Sequence, residues 1–487
     1  MNQSLFAQLE IDLTHLPLTH LSQYTAVQYF LTCQDDPPPN ATPLEQVKPY
    51  LESFYHLSQA QDWRRAAIIL TTLPNPQLNE ELHYQLGLWG YWEEQKHLYN
   101  TLLHRLNPAC DTVCWNGLGN YYDAQGQYQQ AQEAHQAHLT LAQTLQDIQG
   151  QWIAYTGLGN AYRGQGDWNS AEQAYQAALT LLNNQDPNPK TQSGKAIISG
   201  SLARIAYHRQ DYNRAQHYAQ DCLRGGETLN QPLITMKALH LLGDIQTQIG
   251  NPTAALSLHQ KSLALAEQYN NREHLCDTLH SLGLVYEALD QPETALDWQQ
   301  KSLELAQELG EPALISAALQ GLGRAYYQLN CFEQAQSHFK QGLEIATTLQ
   351  DQRSLLQAMR GLAYAEDALD QLETALFWEE QCLTLATLLE DEENAAIAHA
   401  YLGYAYLNLE NYPLALKHLE AALKWQLNYE SPQQLAMTYF NLATTCYHLK
   451  EKKRTQGFLK QGLRLAQRHA RHLIPLYRQL QQESQKT

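Results

Sequence analysis

The stretch LGDIQTQIGNPTAALSLHQKSLALA at residues 242–266 returns almost position for position as LGLVYEALDQPETALDWQQKSLELA at residues 282–306. The interval is 40 residues, and it is kept by the small residue that follows each leading Leu: Gly243, Gly283, Gly323, Ala363, Gly403 and Ala443. Upstream, Gly119, Gly159 and Ala203 occupy the same place. A period of this size means stacked copies of one small unit, none of which can enclose its apolar face alone. The functional question therefore becomes what a repetitive surface binds.

Reading outward from each Gly or Ala anchor gives the design of the unit. The residue before the anchor is always Leu, from Leu118 and Leu158 through Leu442. An Ala stands twelve residues after it, from Ala131 to Ala415, and gives way only to Thr455. Eight residues further on runs a second Leu column, from Leu139 to Leu463, preceded by a small residue such as Ala178, Cys222, Ser262 or Gly342, with His138 the exception. Within each half the apolar positions recur at three and four residues, which predicts one amphipathic helix per half. Between the halves stand Gly126-Gln127, Gly166-Asp167, Gly250-Asn251-Pro252, Asp290-Gln291-Pro292, Asn330-Cys331 and Glu410-Asn411. Gly or Asn accepts the positive φ that ends a helix, and a Pro two residues on prevents its continuation. The small anchors and the Ala column are expected to let the two backbones approach closely. The Leu columns then fill the space between units, each fully buried Leu contributing roughly 1.5–3 kcal/mol.

This register resembles the tetratricopeptide repeat at Leu158-Gly159-Asn160-Ala161-Tyr162, Gly166-Asp167-Trp168, Ala171 and Ala178-Leu179. At 40 residues the unit is longer than the usual 34 of that family. It is similar to the long-helix variety found in the G-protein-regulator scaffolds of spindle orientation and in bacterial signalling proteins. The resemblance implies an all-α, right-handed solenoid of stacked antiparallel hairpins, and a surface that serves partners rather than a fixed chemistry.

Nine such units are expected from about Asp111 to Ala466. Residues 43–110 read as two divergent hairpins, one through Tyr50, Phe54, Trp63 and Ala66-Ala67, the other through Leu86-Gly87-Leu88-Trp89 and Leu98 to Leu103; together they form an N-terminal cap. Residues 1–42 fit no unit: Asp35 to Asn40 reads as a Pro-rich linker, and Leu18 to Leu31 as a helix packed on the first hairpin. The insertion Gln185 to Gly194, which stretches one interval to 44 residues, is expected to be an exposed loop. Residues 467–487 read as a basic capping helix or tail, kinked or ended by Pro475.

The net charge is −18, which disfavours nucleic acid and anionic membrane as partners. From Lys450 to Thr487, however, ten lysines and arginines face only Glu451 and Glu483, leaving −26 on the residues before them. That segment reads either as a docking site for an acidic partner or as a solvated terminal helix covering the last hairpin. No positively charged leader precedes an apolar core and no run of 18 apolar residues occurs, so neither secretion nor membrane insertion is expected. Eight scattered cysteines form no disulfide framework, and Cys222 and Cys382 fall in small-residue core columns, which points to the cytoplasm.

Motifs of catalysis and cofactor binding are missing: there is no phosphate-binding Gly-Lys-Ser/Thr loop, no dinucleotide fingerprint and no nucleophile elbow. The chain is therefore expected not to be an enzyme and to carry no catalytic residue, cofactor or metal. Cys110, Cys114, His135 and His138 have loose metal-ligand spacing, but no CxxC knuckle accompanies them and both histidines fall in core columns. Tyr122, Tyr162, Tyr286, Tyr326 and Tyr406 recur with the period and read as core.

What remains is the concave face of the first helices, reached by the positions three before, one after and four after each anchor. There the sequence places Asn116, Asn120 and Asp123; Asn160 and Arg163; Arg204 and Tyr207; His240 and Asp244; His280 and Glu287; Gln320, Arg324 and Tyr327; and Arg360, Tyr364 and Asp367. Asn can bond both backbone groups of an extended peptide, and Arg makes forked bonds with carboxylates. In the last two units the same face turns apolar, with Ala400, Tyr404, Leu407, Met437, Phe440 and Tyr447, which suits either a ligand's hydrophobic anchor or burial under the terminal helix. Asn120, Asn160 and Arg204 partly resemble the carboxylate clamp of chaperone-tail binders, but the required Lys is missing. The sequence thus predicts a non-enzymatic scaffold for a protein or extended peptide. The alternative is a peptide-responsive regulator whose superhelix changes shape on binding.

Overall fold

The computed structural model describes residues 2–14, 16–33, 41–74, 81–429 and 432–486, and every regular element among them is helical. The expected linker Asp35 to Asn40 lies outside the described residues. Two helices open the chain, α1 (Asn2–Gln8) and α2 (Leu21–Thr32), followed by the pairs α3 (Pro43–Gln59) with α4 (Trp63–Leu70) and α5 (Leu82–Leu88) with α6 (Trp92–Leu102). The regular hairpins begin with α7 (Pro108–Ala124) and α8 (Tyr128–Thr144), α9 (Ile148–Gln165) and α10 (Trp168–Asn183), and α11 (Pro189–His208) and α12 (Tyr212–Thr228). They continue with α13 (Pro232–Gln248) and α14 (Pro252–Gln268), α15 (Arg272–Ala288) and α16 (Pro292–Leu309), and α17 (Pro312–Gln328) and α18 (Phe332–Leu349). The last are α19 (Gln352–Ala368) and α20 (Leu372–Leu388), α21 (Glu392–Asn408) and α22 (Tyr412–Tyr429), and α23 (Pro432–His448) and α24 (Lys452–His469). A 3-10 turn at Arg471–Leu473 leads to α25 (Ile474–Lys486).

The chain forms two compact bodies, Met1–Ala238 and Leu239–Thr487, divided within α13. Each is a stack of antiparallel helix pairs, so the fold class is the all-α solenoid. In the first body α7 touches α9; in the second, α15 touches α17, α17 touches α19, and α21 touches α23. In the regular hairpins from α7 onward, second helices make no comparable contact with one another among the described residues, whereas in the irregular N-terminal pairs α4 touches α6. First helices therefore line the inner side of each stack. Helix ends follow the turn chemistry: Gly126, Gly166 and Gly250 take positive φ, as do Asp290, Asn330 and Glu410.

The anchors do a different job from the one the pattern implies. Sixteen residues after each glycine anchor, the second helix carries a side chain that points back at it. That side chain is His135, Tyr175, His259, Gln299, Phe339 and Leu419 for Gly119, Gly159, Gly243, Gly283, Gly323 and Gly403, and a Cβ at any of those glycines would run into it. Three of these wedges also press on the next hairpin, at the glycine two residues before its anchor: His135 on Gly157, Gln299 on Gly321, and Phe339 on Gly361. Glycine thus makes room for a wedge that locks consecutive hairpins in register. The Ala column is fully buried from Ala131 to Ala415. The Leu before each anchor is buried throughout, as expected.

Elsewhere the structure revises local readings. The insertion is mostly helix, because Asn188 caps α11 by accepting a bond from the Thr191 backbone (3.0 Å) while the Thr191 hydroxyl accepts one from the Asn188 backbone (3.0 Å). Pro189 then sits in the first turn, where a missing N–H costs nothing. Pro475 likewise lies in the first turn of α25 and starts that helix rather than ending one. The terminal helix covers α23 and α24: Tyr477 is fully buried, its hydroxyl donates to the Ala436 carbonyl at 2.5 Å, and its ring stands 5.3 Å from that of Phe440. At the other end α2 packs on α3, and Phe54, Leu57, Ile69, Leu86 and Tyr99 share one core.

The wedge geometry predicts opposite outcomes for one substitution at two helical glycines. Gly361→Ala should destabilise by about 1–3 kcal/mol, because its Cβ overlaps the Phe339 ring. Gly457→Ala, where an added Cβ meets nothing within 4 Å, should stabilise by about 0.5–1 kcal/mol through helix propensity. Urea unfolding of the two variants checks this, and equal shifts would contradict it.

Candidate functional site

On the inner face, +4 of one hairpin and +1 of the next are 37 residues apart, and this offset brings side chains together. Arg324 on α17 donates from Nε to Oε2 of Glu287 on α15 at 3.0 Å. Glu287 is largely enclosed, and burial pushes its carboxyl above the usual range against the pull of Arg324. By the same spacing Tyr327 approaches Tyr364 with ring centroids 6.4 Å apart, and Tyr364 approaches Tyr401 at 5.6 Å. A run of three tyrosines thus crosses α17, α19 and α21. Tyr404, one turn further along α21, is 45% exposed.

Behind this run lies a buried charge. Glu379 on α20 is the wedge residue paired in register with Ala363; it is fully buried, and neither carboxylate oxygen accepts a hydrogen bond from a described residue. Burial pushes its carboxyl up to about 7, opposed only by the Arg360 guanidinium. Arg360 donates to the Asn394 carbonyl at 3.4 Å. The same enclosure raises the Tyr364 phenol to about 12, with Glu379 adding to the effect.

Elsewhere in the second body, the His240 ring lies 5.2 Å from that of His259 and 5.1 Å from that of His274, centroid to centroid. Asp244 stands 3.4 Å from Nε2 of His240 and 3.6 Å from Nε2 of His259, and accepts from the Ser281 hydroxyl at 3.2 Å. Burial holds His259 down to about 4 against the attraction of Asp244. His280 is likewise held down to about 4 by burial and then by Arg324, and its Nδ1 lies 2.8 Å from Oε1 of Gln299.

In the first body Asn160 accepts the Tyr175 hydroxyl at 2.6 Å. Asp123 is pushed up to about 6 by burial, with Arg163 pulling the other way. Asn120 and Tyr207 are half-exposed, and Arg204 is exposed.

The expected face thus divides. Asn116 is buried and donates to Tyr84 at 3.4 Å; Gln320, only 1% exposed, donates to Ser316 and to the Ser354 carbonyl. These two belong to the packing between helices and not to an open surface, which corrects the sequence reading. Glu287, Arg324, His240, Asp244, His280 and Arg360 are engaged within the stack. Asn120, Arg204, Tyr207, Tyr327, Tyr364 and Asp367 keep part of their surface open. The sequence reading passed over Glu379, whose signal was a lone acid in a column of His, Tyr, Gln and Phe. Of the apolar set, Phe440 and Tyr447 go under the terminal helix, while Tyr404 and Met437 stay exposed. His135 and His138 are core residues, held down to about 3 and about 4 by burial.

Residues 111–184, 234–308 and 274–348 match the model of the tetratricopeptide repeat. Among solved structures, the chain is similar to a Rap protein complexed with Competence and Sporulation Factor, at 12% identity over 73% of this chain and 98% of that one, with a TM-score of 0.54. It is also similar to the apo form of the quorum sensor NprR from B. thuringiensis, at 14% identity over 79% of this chain and 99% of that one, with a TM-score of 0.52. A third is a signal transduction ATPase with a tetratricopeptide repeat sensor from Pyrococcus horikoshii, at 13% identity over 99% of this chain and 74% of that one, with a TM-score of 0.50. At these identities the likeness is one of fold. No curated protein matches the chain in sequence.

Glu379 makes stability depend on pH in a known direction. Its folded value lies above the ordinary 4.5, so its contribution is fully present below pH 4.5 and is lost as the pH rises toward 7. Glu379→Gln should therefore stabilise the protein at pH 8, by at most about 3 kcal/mol, and the gain should vanish near pH 4.5. The buried histidines act in the opposite sense, losing stability as the pH falls from 6.5 toward 4, but they are common to both proteins and cancel. Urea melts at the two pH values test this; an equal difference at both would contradict it.

Proposed function

Because the chain is a tetratricopeptide-repeat protein, we propose that it is a non-enzymatic scaffold that holds a protein or an extended peptide against the inner faces of its first helices. The observation that carries this reading is the tyrosine run Tyr327, Tyr364 and Tyr401 with exposed Tyr404 beside it. Aromatic rings left partly open on an otherwise polar face supply large contact area at low conformational cost. In the first body, Asn120, Arg204 and Tyr207 add donors suited to a peptide backbone and to carboxylates. The Rap protein of similar fold is seen in complex with Competence and Sporulation Factor, which supports a ligand-holding role for such a stack. Eight free cysteines suit a reducing cytoplasm, and among the described residues no helix is long and apolar enough to cross a membrane.

One observation favours a second reading, a regulator whose superhelix responds to its ligand. The ties between neighbouring hairpins, Glu287 with Arg324 above all, lie on the face a ligand would occupy. A ligand that competed for Arg324 would loosen one hairpin against the next. Small-angle scattering with and without the bound partner separates the two readings, since a passive scaffold keeps its dimensions.

Partners captured by the intact chain from its source cell, once identified and purified, should bind the Tyr327→Ser/Tyr404→Ser variant and the Arg204→Glu variant at least about tenfold more weakly. The melting temperature of each should stay close to that of the parent. Arg324 is unsuitable for this test, because removing it strands the Glu287 carboxylate. Unchanged affinity in both variants would refute the inner-face assignment.

A further inference from the structure

The terminal hairpin has a second recessed surface that the inner-face reading does not use. Two adjoining cavities of about 460 and 540 Å³ meet at Ser484 and run along α24 beneath α25. Lys450 and Lys452 line the first, and Lys460 and Arg464 line the second. The second cavity has an apolar floor: Leu459 and Tyr477 are buried, and Leu463 is half-buried.

The bases along this groove are not consumed by the fold. In the terminal hairpin Arg454 pairs with Glu420 and Glu451, whereas among the described residues no ion pair engages Lys450, Lys452, Lys460 or Arg464. Along α24, Lys460, Arg464 and Arg468 follow one another at four-residue steps, so they share a helix face, and all three are exposed. Among the described residues no carboxylate lines either cavity. This concentration of positive charge belongs to a segment with a surplus of eight, on a chain that is otherwise −26.

We propose that this groove docks a short acidic peptide segment carrying apolar side chains, supplied by a partner protein. Charge complementarity selects the acid, since four exposed cations rim a cleft whose described lining contains no anion. The floor of Leu459, Leu463 and Tyr477 selects apolar side chains between the acids, because water over that floor is released when they enter. Size selects a short segment. Charges more than about 8 Å away are screened at physiological ionic strength, so a peptide confined to the groove meets the cations, whereas a duplex or a membrane sheet spreads over the acidic remainder of the chain.

The test uses the full-length chain and a fluorescein-labelled peptide of four Glu-Glu-Leu repeats, with binding read by fluorescence anisotropy. The parent protein should bind it, with affinity falling as salt is raised. Lys460→Glu/Arg464→Glu should weaken binding by roughly tenfold or more, and Lys450→Ser/Lys452→Ser, at the other end of the groove, by a smaller factor. The Arg204→Glu variant should bind the probe as the parent does, which separates this surface from the inner face. A Gln-Gln-Leu control peptide should not bind. Absence of probe binding, binding unchanged in both groove variants, equal binding of the control, or tighter capture of phosphatidylserine vesicles or single-stranded DNA through Lys460 and Arg464 would each overturn the proposal.

Discussion

The interaction on which this architecture depends is a side chain pressed against a missing one. At six hairpins the second helix sends a large residue back toward a glycine anchor of its own first helix: His135, Tyr175, His259, Gln299, Phe339 and Leu419; Glu379 and Leu459 hold the same register against Ala363 and Ala443. In three cases the same side chain also meets a glycine of the following hairpin. A wedge shared by two hairpins couples them, since neither can shift without the other. The relation persists where the 40-residue spacing fails. Tyr99 lies sixteen residues after His83, whose Nδ1 is 2.8 Å from the Tyr99 hydroxyl, and its ring fills the place a Cβ would take at Gly117. The irregular α5 and α6 pair is thus joined to α7 by the device used in the regular repeats.

Much of this was legible because repetition turns weak local signals into columns. The Leu column before the anchors and the Ala column mark buried positions, the second Leu column mostly half-buried ones, and the Gly, Asn and Asp turns mark helix ends, each for a reason intrinsic to the residue. What the columns hid was direction. A Gly column looks the same whether it admits a neighbouring backbone or a neighbouring ring, and only the positions sixteen residues away distinguish the two. The insertion was misread for a related reason. Asn188-Pro189 resembles loop chemistry until Thr191 completes a reciprocal cap and makes it the start of α11.

The inner face was legible as polar but not as partly self-satisfied. Glu287 and Arg324 are 37 residues apart, one repeat less one helical turn, and the pair becomes visible only once the stagger of adjacent first helices is known. Gln320 falls in the same set of positions yet bonds to Ser316 and Ser354 in the interior. Such pairing removes charges from the surface and leaves rings: Tyr327, Tyr364 and Tyr401 become the continuous feature of that face, with Glu379 enclosed behind them. A buried carboxylate that accepts no hydrogen bond from a described residue, under an aromatic run, is a cost to stability. Its place in the wedge column, where His, Gln, Phe and Leu serve elsewhere, sets this hairpin apart from its neighbours.

The central claim is that partners are held on the inner side of the first helices and not on the outer side of the second. A photoreactive benzophenone amino acid placed at Tyr404 on α21, or at Phe377 on α20, tests this directly, because both positions are about half exposed and differ in the helix that carries them. Irradiation of the chain with its captured partner should give a covalent adduct from position 404 and none from position 377. Adducts from position 377 alone would contradict the account.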